Sequence, residues 1–98
     1  MVAAVAEIQT YLVEGNACIV KIRGDIDDAA VELIVRDGSA TVVDLLDARV
    51  VDVDALDALV AGSSDVVFIA ERPLLDALEL IALHRPVRTA PTLAAALS

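Results

Sequence analysis

Apolar positions in this chain follow two different periods, and each change of period marks a new element. Two runs rich in apolar and β-branched residues, Glu7–Val13 and Ala17–Arg23, flank Glu14-Gly15-Asn16, a turn composition. They predict a β-hairpin. Gly24 and the acidic Asp25-Ile26-Asp27-Asp28 end the second strand. Asp27 or Asp28 is placed to accept hydrogen bonds from the free N–H groups of a helix's first turn. Ala30, Leu33 and Ile34 give that helix an apolar stripe, and Gly38 is placed to stop it in the left-handed conformation.

Ala40–Leu45 reads as a central strand covered on both faces. The helical pattern Leu56, Leu59, Val60 follows over Asp54–Ala61, with Gly62 as its end. Asp54, with Asp57 three residues on, resembles an acidic capping box. The segment between strand and helix gathers Asp47, Asp52, Asp54 and Asp57 in what reads as an acidic turn. Val66–Ala70 is a second central strand. Pro73 suits the first turn of a helix whose Leu74, Leu75, Leu78, Ile81 and Ala82 form a broad apolar face. Pro86 ends it, Val87–Thr89 is a short strand, and Pro91–Leu97 is a small closing helix. The order is ββαβαβαβα, an α/β fold with one domain over residues 1–98. After the hairpin, alternation of helices and strands requires parallel pairing and right-handed crossovers, giving a mixed sheet packed against helices.

Charge narrows the range of partners. The chain of 98 residues carries sixteen acidic and seven basic residues, a net charge of −9. Such a surface repels phosphate backbones and anionic lipids, which argues against nucleic-acid or membrane-surface binding. Hydrophobic residues make up 58% of the chain, yet no run approaches the ~18 apolar residues that cross a bilayer. The start Met1–Ala6 lacks the basic region of a secretory signal. A soluble, cytoplasmic protein is expected, and the single Cys18, read as a small core residue on a strand, agrees with a reducing compartment. One histidine and one cysteine do not make a zinc site of the usual kind. No Gly-rich phosphate loop, Cys-His pair or Ser-His-Asp order is present, so neither an enzyme nor a cofactor is expected.

Four segments together resemble the STAS domain, as in bacterial anti-sigma factor antagonists. Gly24-Asp25-Ile26-Asp27 is similar to that family's Gly-Glu-Leu-Asp after the second strand, and Val42-Val43-Asp44-Leu45 to its strand ending in Asp-Leu. Val51-Asp52-Val53-Asp54-Ala55-Leu56 falls where the family has Ile-Asp-Ser-Ser-Gly-Leu. The helix from Pro73 to Leu83 and the Ala-rich Pro91–Leu97 resemble its last two helices. The resemblance implies a compact STAS-like fold and a partner that is an anti-sigma factor, often itself a serine kinase. In the family that kinase phosphorylates the second serine of the motif and so releases the complex. Here Asp52 matches the family's aspartate, Val53 its first serine, Asp54 the phosphorylated serine and Ala55 the glycine. The segments for the first two helices are also shorter than is usual in the family.

Position 54 therefore has a carboxylate and no acceptor hydroxyl. Asp54 brings one negative charge where phosphoserine brings about −1.5 to −2. It reads either as a helix cap or as a fixed imitation of the phosphate. Asp25, Asp27, Asp52, Val53, Asp54 and Leu56 are the expected protein-binding surface, since parallel strands place their C-terminal ends on one edge. His84 and Arg85 are expected to meet the carbonyl end of the long helix. A phosphoacceptor or magnesium site built on Asp44, Asp47, Asp52 and Asp57 is the enzyme-like rival. It calls for a lysine after a late strand, whereas Lys21 lies on an early one. Two further alternatives are an accessory subunit of a lipid-transport assembly, a role other small STAS proteins have, and a homodimer whose contacts are only with itself.

Overall fold

The computed structural model describes residues 7–13, 17–38, 40–50, 53–63 and 65–97. They form β1 (Glu7–Val13), β2 (Ala17–Ile26), α1 (Asp28–Asp37), β3 (Val42–Val50), α2 (Val53–Ala61), β4 (Val67–Ile69), α3 (Leu74–Ile81), β5 (Arg88–Ala90) and α4 (Leu93–Leu97). The element order is the one the periodicity predicts. The five strands lie in one sheet in the order β1-β2-β3-β4-β5. β1 pairs with β2 antiparallel, and the later neighbours pair parallel.

Period-two alternation along the strands divides the core into two layers. Val20, Ile22, Ile26, Val43, Leu45 and Phe68 pack with the apolar faces of α1, α2 and α3. Consecutive parallel strands joined by crossovers of one hand put all three helices on that face. Ile19, Val42 and Ile69 point the other way, where Leu93 and Ala96 of the short α4 cover them. Cys18 is a buried strand residue. Thr41 holds the start of β3 against it, donating its backbone N–H to the Cys18 carbonyl at 2.9 Å while its Oγ1 accepts from the Cys18 N–H at 2.9 Å.

β2 and β3 are longer than the sequence predicts. Between Lys21↔Asp44 and Arg23↔Asp47 the register advances two residues on β2 and three on β3, so β3 carries a one-residue bulge. The bulge releases the Leu46 N–H from the ladder, and the Asp44 carboxylate accepts from it at 3.0 Å. At 6% exposure Asp44 is the one charged or polar side chain in the core among the described residues. Pairing then resumes through Gly24↔Ala48, Asp25↔Arg49 and Ile26↔Val50. Gly24 takes φ +89°, which only glycine adopts without strain. Asp47 is thus a strand residue and not part of an acidic turn.

The helix ends agree with the capping chemistry in part. Asp27 is the N-cap of α1, its Oδ1 accepting from the Ala30 N–H at 2.8 Å. Gly38, at φ +67°, closes the same helix with its N–H donating to the Ile34 carbonyl. Ala30 and Ile34 are buried as expected, but Leu33 is 61% exposed and Val31 is buried instead. In α3, Leu74, Leu78 and Ile81 are buried, but the helix ends at Ile81 and Ala82 is exposed.

Gly62 ends α2 as expected and has a second role. Its N–H still donates to the Ala58 carbonyl at 3.0 Å. A Cβ at this position would lie 2.6 and 2.7 Å from the two γ-carbons of Val35. The glycine is there so that α2 can approach α1. Val35 is β-branched and cannot swing aside freely. Gly62→Ala should therefore lower stability by about 1–3 kcal/mol, read as a lower urea midpoint. Adding Val35→Ala should recover part of that loss; a double variant weaker than the sum of the two single changes would refute the clash.

Candidate functional site

The C-terminal ends of β2 and β3 lie side by side, Ile26 opposite Val50. β4 runs parallel to β3, so its exit at Ile69 leads to the same edge of the sheet. Each strand is followed by a helix that starts at this edge: α1 at Asp28, α2 at Val53 and α3 at Leu74. Three helix N-termini, each with partial positive charge, therefore share one rim. The sequence supplies an acid to each first turn, namely Asp28, Asp54 and Asp76.

The expected surface residues reach this rim with different freedom. Asp25 lies one residue before the end of the β2–β3 ladder, and its Oδ1 lies 3.2 Å from Nε of Arg49, on the facing strand. Asp27 is committed to the α1 cap. Asp52 lies outside the described residues. Val53 is the first residue of α2 and is 49% exposed. Asp54 follows it, exposed, in the first helical turn. It is thus inside the helix, one residue past its start, and not the N-cap. Leu56 is 0% exposed, packed in the core under the three helices. It cannot add apolar contact to a partner, because it lies with Leu59 and Val60 on the buried stripe of α2.

Asp57 does not form a capping box with Asp54. Its Oδ1 accepts from Nε of Arg85 at 2.9 Å and lies 3.5 Å from Nε2 of His84. α3 stops at Ile81, and the turn of residues 82–85 brings these two basic side chains back onto α2. That replaces the expected contact with the carbonyl end of their own helix. Asp47 sits between Lys21 Nζ at 3.2 Å and Arg23 Nε at 3.9 Å. Asp25, Asp27, Asp47 and Asp57 are therefore engaged apart from one another, with different partners. Among the described residues no group of three His, Cys, Asp or Glu side chains is placed to hold a metal ion.

One feature of the rim escaped sequence reasoning. A cleft of about 360 Å³ opens between the end of β3 and the start of α3, lined by Ala48, Arg49, Pro73, Leu74 and Ala77. Beside it, Arg72 pairs with Asp76 and Glu79 along α3. The signal available was the alternation Asp47-Ala48-Arg49-Val50, which is strand-like and carries Ala48 and Arg49 up to the rim.

This arrangement, a five-stranded mixed sheet with three helices on one face and one on the other, is the STAS fold. The anti-sigma factor antagonist SpoIIAA in its unphosphorylated form matches it with a TM-score of 0.59 at 10% identity, over 90% of this chain and 91% of that one. An anti-sigma factor antagonist from Mycobacterium paratuberculosis matches with a TM-score of 0.54 at 22% identity, over 93% and 92% of the two chains. No family profile matches the chain, and no curated protein sequence does. Among the described residues no helix is long and apolar enough to cross a membrane.

The two acids at the exit of β2 should separate by mutation. Asp27→Ala removes a cap and should lower stability by about 1 kcal/mol. Asp25→Ala removes only a pair with an exposed arginine and should stay within about 0.5 kcal/mol of the parent. Urea midpoints of the two variants test this, and equal losses would contradict it.

Proposed function

We propose that this protein is a non-catalytic regulator that binds an anti-sigma factor and so controls transcription in the cytoplasm. The observation that carries the reading is the exposed pair Val53-Asp54 opening α2 at the strand-end rim, on a fold shared with anti-sigma factor antagonists. By its place in the motif, Asp54 stands where those relatives would carry the phosphorylatable serine. A helix N-terminus favours an anion there, whether carboxylate or phosphate.

In this reading the rim docks as a fixed surface. Asp25, Asp28 and Asp54 draw in a basic face of the partner, which speeds encounter and sets orientation more than it adds affinity. Val53 then supplies apolar contact from which water is expelled. Asp52, adjoining them in sequence, belongs to the same proposed surface. Asp27 shapes the rim through its cap, and Leu56 holds α2 down from beneath. With no hydroxyl at position 54, release of the partner depends on competing partners or on their concentrations, not on a phosphate at this turn.

Two measurements test this. Incubation with ATP and a serine-kinase anti-sigma factor of the host should leave residues 47–62 without phosphate by peptide mapping. Phosphate on that segment would refute the fixed-surface reading. In calorimetric titration against that anti-sigma factor, Val53→Asp should weaken binding about tenfold or more. Asp54→Ala should weaken it less and flatten its salt dependence. Neither variant disturbs a buried side chain, so a null result for both would remove the rim as the docking surface.

A further inference from the structure

We propose that the free edge of β1 joins two copies of this chain into an antiparallel dimer, leaving both strand-end rims exposed. Among the described residues β1 has a neighbour on one side only. Its pairing with β2 runs without a bulge from Glu7↔Arg23 to Val13↔Ala17. Its other side is therefore a straight row of backbone donors and acceptors, about 24 Å long at the usual strand rise. Edge strands that remain single are commonly short, covered by a helix or loop, or marked by a proline, a lysine, a bulge or an inward charge. Ile8–Val13 contains no proline and no charged residue. A β1–β1 pair satisfies these groups without any change of backbone.

Charge makes a second copy of the chain the fitting occupant. Two molecules of net charge −9 repel one another over most of their surfaces. Glu7 is the only charge in β1, and it lies opposite Arg23, next to Lys21 two residues earlier on β2. A two-fold axis through Thr10 sets Thr10 against Thr10 and Ile8 against Leu12 of the second copy. The two Glu7 residues are then about 20 Å apart along the pair, beyond the ~8 Å screening length of physiological salt. This is a place where two such chains meet without opposing carboxylates.

The helix side of β1 supports the same pairing. A groove of about 390 Å³ runs between β1 and α1, lined by Ile8, Thr10, Val20, Leu33 and Ile34. Leu33 overhangs it and is mostly exposed. Joining the β1 edges brings two such grooves together, and the two Leu33 side chains then close over one apolar seam. Because β1 runs antiparallel to β1 of the second copy, the β2 strands of the two copies also point in opposite directions. Their rims face away from each other, so the dimer is bivalent and its formation does not require the partner protein.

The test is the mass in solution by light scattering and sedimentation, from about 1 µM to 1 mM chain. The expected result is a rise from the 10.2 kDa monomer to twice that mass. Slower hydrogen exchange at alternate amides of residues 7–13 should accompany the rise. Thr10→Glu and Thr10→Lys each place like charges together on the axis, and both should hold the protein monomeric. Leu33→Gln, on an exposed helix position that the fold does not need, should raise the dissociation constant about tenfold or more. A monomer over the whole range overturns the proposal, and so does a dimer that all three variants leave intact. Adding an extended peptide of the β1 sequence as competitor distinguishes a dimer edge from a peptide-binding edge. Capture of the peptide by a protein that stays monomeric alone also overturns it. A failure of this kind leaves the rim reading standing, since that reading rests on other residues.

Discussion

The strand-end rim depends on how β3 resumes pairing with β2 after Asp44. One extra residue enters β3 there. It takes the Leu46 N–H out of the regular ladder. The Asp44 carboxylate accepts that N–H, with its oxygen 3.0 Å away. The ladder can then continue to Ile26↔Val50 and carry both strands to the same height. Without the continuation, β2 would stop before Gly24, and α1 and α2 would start from unrelated heights. Asp25, Val53 and Asp54 share a rim because a buried carboxylate stabilises a bulge several residues away.

The same pairing explains how an acidic chain tolerates its own charge. Beyond the apolar patch under α4, period-two alternation carries Lys21 and Arg23 onto the outer face, opposite the acids of β3. Lys21 and Arg23 hold Asp47, and Arg49 holds Asp25. Most of these pairs are exposed, so each contributes little to stability. Their consequence lies in distribution. Asp57 is held by Arg85 at one helix junction, the rim carries Asp25, Asp28 and Asp54 together with Arg49 and Arg72, and the β1 edge stays near neutrality. A binding edge and a self-association edge are thus separated by charge on a molecule of one overall sign.

The sequence made the element order, the hairpin, the α1 caps and most of the core legible, because each rests on a local rule. Asp27 and Gly38 bracket α1, and the stripe of Leu74, Leu78 and Ile81 needs only helical spacing. What was not legible depended on distant partners. Asp47 and Arg49 look like loop residues until Lys21, Arg23 and Asp25 lie beside them. Asp57 looks like half of a capping box until the turn after α3 delivers Arg85, 28 residues on in sequence. Gly62 ends α2 as its place in the pattern says, but its close approach to Val35 shows only in the packing. In the site, the stripe of Leu56, Leu59 and Val60 already marks Leu56 as a core position, while α2 starts one residue earlier than that pattern predicts, with Val53 exposed in its first turn.

That start of α2 also changes the meaning of the carboxylate at position 54. In the first turn Asp54 keeps the favourable field of the helix end while its side chain stays exposed. A phosphoserine at such a position carries more charge and can be removed, which makes it a switch. A carboxylate has less charge and is permanent, so it suits a surface that is always ready to dock. Under the proposed function, regulation then moves from covalent chemistry at this turn to the supply of partners. A bivalent dimer whose rims face apart would make binding depend on protein concentration, a form of control that needs no hydroxyl.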